Sequence, residues 1–239
     1  AGGARHGPGA PSTVNKDWKD RNVTYGFMRA ALITGGTSGI GLAFAQALAR
    51  RGVALVLVAR DADRLGRVAD ELTATHGVRV DTLVADLADR SAQDAVAARL
   101  ASDERLDVLV NNAGFSLKTP LGGGDEALLD RGYEVMGRAL RVLGGAAGVA
   151  FRARGGGTII NVTSLSGMTR QDGYSALKAY GTALTEVLAN ELTGSGVTVT
   201  AVLPGWVRTD MDARGGVGKS SIPDALWLDA DRVAADALA

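Results

Sequence analysis

The stretch "DGYSALK" at positions 172–178 places a phenol, Tyr174, four residues ahead of an ammonium, Lys178. Residues four apart share one face of a helix, so both side chains can face the same cleft. A free phenol titrates near pH ~10, too high for a group that must give up and regain a proton near neutrality. A neighbouring ammonium stabilises the phenolate and lowers that value, which makes the pair a candidate proton-transfer centre. The ordinary alternative is a solvated helix face carrying Tyr and Lys by coincidence of spacing. Upstream, Ser164 closes a strand-like run, and its hydroxyl could hydrogen-bond a substrate carbonyl or alcohol. Ser166 and Thr163 are alternatives for that role, and a serine at a strand end also serves as a turn former.

A second group of residues is suited to anions. In "TGGTSGIG" (34–41), Gly35, Gly39 and Gly41 let the chain turn tightly and approach a pyrophosphate, while a following helix aims free N–H groups at it. The spacing is Gly-x-x-x-Gly-x-Gly rather than the common Gly-x-Gly-x-x-Gly, so the glycines alone are a weak signal.

These residues need elements to position them. Short apolar runs alternate with helical periodicity along the chain. Strands are expected at 29–35, 53–60, 78–86, 106–114, 157–164 and 197–205. Helices are expected at 40–52, 61–77, 90–102, about 125–154 and 174–194, with Asp61 an N-cap and Gly77 a stop. This alternation implies right-handed crossovers and a single Rossmann-type, doubly wound parallel sheet of six or seven strands flanked by helices. Residues 1–28 lack apolar periodicity and read as an irregular leader or arm before a domain spanning 29–239. "DADRVAADALA" (229–239) reads as a last helix with no strand after it, as if the chain stopped early.

The motifs fall in a fixed order on this frame: "TGGTSGIG" after the first strand, "NNAG" (111–114) after the fourth, "NVTSLSG" (161–167) after the fifth, "YSALK" (174–178) opening the next helix, and "PGWVRT" (204–209) after the sixth. Together they resemble the short-chain dehydrogenase/reductase family in its common short form. The resemblance implies a nicotinamide-dependent oxidoreductase acting on a small carbonyl or alcohol. Tyr174 would be the general acid/base and also border the cofactor, Lys178 its tuner and a partner of the nicotinamide ribose, and Ser164 the substrate-binding hydroxyl. The same resemblance implies that Gly35, Thr37, Ser38, Gly39, Ile40 and Gly41 hold the pyrophosphate and that Asp86 and Leu87 border the adenine. Asn112, Ala113 and Gly114 would line the adenosine side, and Pro204, Gly205, Val207 and Thr209 would complete the site, Thr209 at the nicotinamide end. Asn111 would brace the sheet. Asp86 has a second reading as a cap on the approach to a helix.

At the end of the second strand an acid would take the ribose 2′-hydroxyl of NAD, and a cation would take the 2′-phosphate of NADP. Here Ala59 is neutral and Arg60 follows, with a planar donor fork suited to phosphate. NADP(H) is therefore preferred over NAD(H), unless Arg60 is a solvated loop residue paired with Asp61 or Asp63.

Two departures from the family stand out. Nine residues separate Ser164 from Tyr174, a shorter connection than is usual. In "YEVMGRAL" (133–140), Met136 stands where the family has an asparagine that helps a water relay protons from the lysine. A thioether is only a weak acceptor. The competing function is accordingly a cofactor-binding homologue with weak or lost catalysis, acting as sensor or scaffold.

Composition sets the remaining bounds. Lys plus Arg equals Asp plus Glu at 26 each, so no broad positive field invites nucleic acid or an anionic membrane. Cysteine is absent, which removes disulfides and thiolate chemistry and fits a cytoplasmic setting. The histidines His6 and His76 form no metal cluster or Ser-His-Asp arrangement. No apolar run approaches the ~18 residues of a membrane span. Family habit implies a homodimer or homotetramer through the two long helices, with Gly144, Gly145 and Gly148 permitting close packing. Leu, Met and Trp in the variable segments 115–124, 168–173 and 206–227 hint at an apolar substrate.

Overall fold

The computed structural model describes residues 28–209 and 223–239. The expected leader thus lies, but for Met28, outside the described residues. Six parallel strands form one sheet in the order β3-β2-β1-β4-β5-β6. They are β1 Ala30–Thr34, β2 Ala54–Ala59, β3 Val80–Val84, β4 Leu106–Asn111, β5 Gly157–Val162 and β6 Val197–Val202. The helices between them are α1 Gly39–Arg50, α2 Ala62–His76, α3 Arg90–Ser102, α4 Glu126–Tyr133, α5 Ala139–Ala153 and α6 Gly173–Glu191. A two-stranded parallel ribbon, β7 Trp206–Arg208 and β8 Trp227–Asp229, precedes the last helix, α7 Ala230–Ala237.

The sheet is buried on both faces, which explains why β1 and β2 read as continuous apolar runs rather than alternating ones. Alternation persists as a choice of layer. Ala30 and Leu32 of β1 join one core with Val96, Leu143 and Phe151, while Ala31 and Ile33 join the other with Phe44, Leu48 and Leu65. The edge strands β3 and β6 carry polar residues in "VDTLV" and "VTVTAV" and are only partly buried. Helix α7 closes the second layer with Ala234 and Leu238 buried, and Arg51 donates to the Leu238 carbonyl at 2.9 Å.

Helix boundaries follow the expected caps. The Asp61 side chain accepts from Arg64 N, and Gly77 ends α2 in the left-handed conformation at φ 68°. The long helical stretch from 125 to 154 is interrupted: α4 passes into a π-turn at Glu134–Arg138 before α5 begins. Gly144 and Gly148 do not face outward as a subunit contact would need. An added Cβ at Gly144 would meet Leu188 at 3.3 Å, and at Gly148 Leu192 at 3.2 Å. Being four residues apart, both let α6 seat on α5 within the subunit, and only Gly145 of the three opens to free space.

Candidate active site

The order of the sheet reverses between β1 and β4, and the turns leaving these two strands meet at their carboxyl ends, where open α/β sheets bind ligands. Gly35 and Gly39 take positive φ values of 67° and 52°, so their backbone is open to glycine at little cost. Gly41 has ordinary helical φ but no room: a Cβ there would run into the Gly35 carbonyl and the Asn112 amide. Ser38 is the N-cap of α1 without a side-chain cap bond, so the first N–H groups of α1 remain available to an anion, beside Ile40 in the first turn. Thr209 packs its side chain 3.2 Å from the position a Gly39 Cβ would occupy, bringing the segment after β7 against the glycine turn.

Asn112 serves this turn from behind. Its Nδ2 donates to the Thr34 carbonyl at 3.0 Å and to that of Gly35 at 3.3 Å, while Thr34 Oγ1 accepts from the N–H groups of Asn112 and Ala113. The Asn112 side chain is thus committed to the turn, and Ala113 and Gly114 are what line the cleft. Asn111 braces the sheet, donating to Asn161 Oδ1 at 3.0 Å.

That cleft has a volume of about 800 Å³ and gathers Gly35, Thr37, Ser38, Arg60, Asp86, Leu87, Ala113 and Gly114. Three further cations line it: Arg64, Lys118 and Arg131. Among the described residues Arg60 forms no ion pair, and Asp61 is engaged in capping α2. Arg64 Nε donates to the Thr37 carbonyl at 3.0 Å, fastening α2 to the glycine turn. Asp86 does cap the approach to α3 by accepting from Ala88 N at 3.0 Å, and it also accepts from Arg131 at 2.8 Å. Burial alone would raise the Asp86 pKa; the Arg131 guanidinium and the Ala88 N–H outweigh it and hold the carboxyl below its usual value.

At the other end, β5 delivers the hydroxyl-bearing residues. Thr163 Oγ1 donates to the Val202 carbonyl at 3.1 Å and so belongs to the β5–β6 seam. Ser164 is buried at the strand end, where its Oγ accepts from Ser166 N at 3.1 Å and lies 3.5 Å from the Pro204 carbonyl. The turn that follows, Leu165–Met168, seats on α6 through Gly167. A Cβ at Gly167 would meet Ala179 N at 2.8 Å and the Lys178 carbonyl carbon at 3.0 Å, so glycine is what allows the turn carrying Ser164 to touch α6. Helix α6 starts with a reciprocal capping box between Asp172 and Ser175, which fixes the phase that places Tyr174 and Lys178. The Lys178 ammonium lies 5.5 Å from the centroid of the Tyr174 ring and donates to the Val162 carbonyl at 2.9 Å. Burial lowers its pKa from 10.5 to about 8. Pro204, Gly205 and buried Val207 lie beside Ser164 through the Leu165 N–H bond to the Pro204 carbonyl.

Residues 29–216 match the family described as short chain dehydrogenase. The chain belongs to the short-chain dehydrogenase/reductase family. It is 37% identical over 186 residues to a galactitol 2-dehydrogenase (L-tagatose-forming) of Cereibacter sphaeroides, covering 76% of this chain and 72% of that protein. A short-chain dehydrogenase from Sphingobium yanoikuyae, solved in complex with NADPH, superposes with a TM-score of 0.83 at 36% identity over 88% of this chain and 82% of that one. A bulky-bulky ketone specific alcohol dehydrogenase from Comamonas testosteroni superposes with a TM-score of 0.79 at 32% identity, covering 89% and 82%.

Against the short-chain dehydrogenase/reductase pattern, the two departures take definite form. The nine residues between Ser164 and Tyr174 are used up by the Leu165–Met168 turn, the Asp172 cap and a reversal at Arg170, whose φ is 51°. Met136 is buried in the π-turn, its Sδ 3.4 Å from where Gly114 would carry a Cβ. With Lys178, Thr34, Asn111 and Thr163 it walls a cavity of about 10 Å³, which puts a thioether in the same lining as the lysine. Arg64, Lys118 and Arg131 belong to none of the motifs in the sequence. Arg64 had a signal, since the third residue after an N-cap lies on the first turn of α2 and faces the end of β2. Arg131 had none, because 45 residues separate it from Asp86.

Proposed function

We propose that the protein is an NADP(H)-dependent oxidoreductase that interconverts a carbonyl compound and its secondary alcohol, with Tyr174 as general acid/base. The observation that carries this reading is the Lys178 ammonium: buried, without an ion pair among the described residues, and 5.5 Å from the Tyr174 ring. Keeping a charge in such a place costs stability, and its use is to bias a neighbouring phenol toward its anion.

The residues suit a dinucleotide. Gly41 leaves the space a Cβ would fill, the start of α1 presents N–H groups, and Arg60 stands unpaired among described residues at the end of β2. The NADPH complex of the Sphingobium yanoikuyae relative points the same way. When bound, the nicotinamide supplies or accepts the hydride. Ser164 would hold the carbonyl oxygen, Tyr174 would deliver its proton to that oxygen in reduction and recover it in oxidation, and Lys178 would hold the phenolate between the two. Asp86, kept ionised by Arg131, would accept a hydrogen bond at the adenine end.

The second reading, a cofactor-binding homologue with weak turnover, is favoured by one observation, Met136 lining the same small cavity as Lys178. The test is NADPH absorbance with a panel of ketones and aldehydes, alongside NADPH binding followed by its fluorescence. Oxidation of NADPH that disappears in Tyr174→Phe, with binding kept, supports the oxidoreductase. Binding without turnover across the panel supports the sensor. Exposed Val149 on α5 and Val187 on α6 suit pairing of these helices between two copies. Among the described residues there is no cluster of metal-binding side chains, and no helix is long and apolar enough to cross a membrane.

A further inference from the structure

Four exposed large hydrophobic side chains, Leu121, Leu165, Met168 and Trp206, belong to three segments beside Ser164 and Tyr174. Single exposed apolar residues are ordinary, whereas a cluster flanking reactive groups marks a contact surface. The convergence is measurable. Leu121 Cδ2 lies 3.2 Å from where Gly173, next to Tyr174, would carry a Cβ. Leu165 follows Ser164, and its Cδ1 lies 3.6 Å from the corresponding position at Gly205. Trp206 comes next and packs on Trp227 with ring centroids 5.9 Å apart, which holds the two strands of the β7–β8 ribbon together beside Gly205.

Two features set the character of this rim among the described residues. The connection from Ser164 to Tyr174 is consumed by its turn and by the α6 cap, so it has no spare length to fold over the rim. The one cation of the ribbon, Arg208, pairs with Asp224 at 3.1 Å, lies 4.0 Å from Asp229 and stands 6.0 Å over the Trp227 ring, so it is engaged away from the leucines of the rim. Of these side chains the Trp206 indole is the one N–H donor and the Met168 thioether only a weak acceptor, so a hydroxyl-rich substrate would exchange water for little here. Apolar carbon would displace poorly held water instead.

We propose that this rim receives the substituents of a bulky apolar ketone or secondary alcohol, an inference that rests on the oxidoreductase reading above. Sugars and polyols, despite the galactitol dehydrogenase among its relatives, are then poor substrates.

The test uses the full chain with NADPH and a series of alkyl phenyl ketones from acetophenone to hexanophenone, with dihydroxyacetone and fructose as hydroxylated ketones. The expected result is kcat/KM rising about two- to fourfold per added methylene over the first carbons, carried by KM. Met168→Ser and Trp206→Ser, both at exposed positions, are expected to flatten that slope. A flat series, a slope that both variants leave intact, or a higher kcat/KM on the hydroxylated ketones overturns the rim assignment while leaving the oxidoreductase reading standing. NADPH binding with no oxidation by either set overturns both.

Discussion

The Lys178 ammonium donates to the Val162 carbonyl at 2.9 Å while facing the Tyr174 ring at 5.5 Å, so one buried charge touches the sheet and the phenol at once. Its folded pKa is about 8 against 10.5. Between these values the unfolded chain holds a proton that the folded chain has shed, so raising pH across that window stabilises the fold. Below pH 8 the cost of burial is present in full. Urea unfolding at pH 7, 8, 9 and 10 is expected to show wild type gaining stability over Lys178→Met, approaching about 3 kcal/mol at ~1.4 kcal/mol per pH unit. A difference that stays constant with pH would mean that the lysine is not charged and desolvated as described. The same titration is expected to lower kcat for ketone reduction above pH about 8, as the charge that supports the phenolate is lost.

Tyr174→Phe keeps the ring that packs against the core while removing its hydroxyl. Positioned general acids contribute roughly 10²–10⁴ in rate. The expected outcome is a loss of kcat in that range with the NADPH dissociation constant within about twofold of wild type, checked by stopped-flow and fluorescence titration. Loss of binding in parallel with rate would show that Tyr174 acts through holding the cofactor and not through the proton.

How much of this was legible in the sequence depended on distance along the chain. The α2 boundaries could be read because Asp61 and Gly77 act within a turn of the residues they cap. The glycine turn and the Tyr174–Lys178 face could be read for the same reason. The π-turn could not, since "EVMGR" keeps the helical pattern on both sides and the insertion exists only as a bond pattern. Gly144 and Gly148 were misplaced because a small residue signals close packing but not the partner, which proved to be Leu188 and Leu192 of the same subunit. The Asp86–Arg131 pair and the convergence of Leu121, Leu165 and Trp206 are tertiary facts that no local spacing encodes.

Arg60 at the end of β2 is free of ion pairs among described residues, and Arg64 on the first turn of α2 is tied to Thr37. Replacing Arg60 by Asp puts repulsion where the 2′-phosphate would sit. A charge-assisted bond is worth about 1.5–3 kcal/mol, so NADPH affinity is expected to fall roughly 10- to 100-fold. NADH affinity is expected to hold or improve. Comparison of the two dissociation constants at fixed ionic strength checks this, and a wild type that already prefers NADH removes the role given to Arg60.

Gly41→Ala adds one carbon where the Gly35 carbonyl and the Asn112 amide already meet. The turn must widen to admit it, and overpacking of this kind costs typically about 1–3 kcal/mol. Because the same turn would cradle the pyrophosphate, NADPH binding is expected to weaken together with the melting temperature. Gly66→Ala is the matched control, since a Cβ there meets nothing within 4 Å and α2 should gain slightly in stability. Equal effects of the two substitutions would show that the crowding at Gly41 is relieved at no cost.

Met136 separates the two readings of function most directly. It is buried, packed near Gly114, and shares a small cavity with Lys178, Thr34 and Asn111. Met136→Asn exchanges a thioether for a shorter amide that both donates and accepts. Lost packing and a buried polar group are expected to destabilise the fold by about 1–3 kcal/mol, read as a lower melting temperature. If proton supply to Lys178 limits turnover, the amide and any water it admits should raise kcat for ketone reduction despite that loss. The rise should vanish in Met136→Asn combined with Tyr174→Phe. A kcat that falls in step with stability would show that the lysine is already supplied with protons from the cleft side, and that methionine here costs the enzyme nothing.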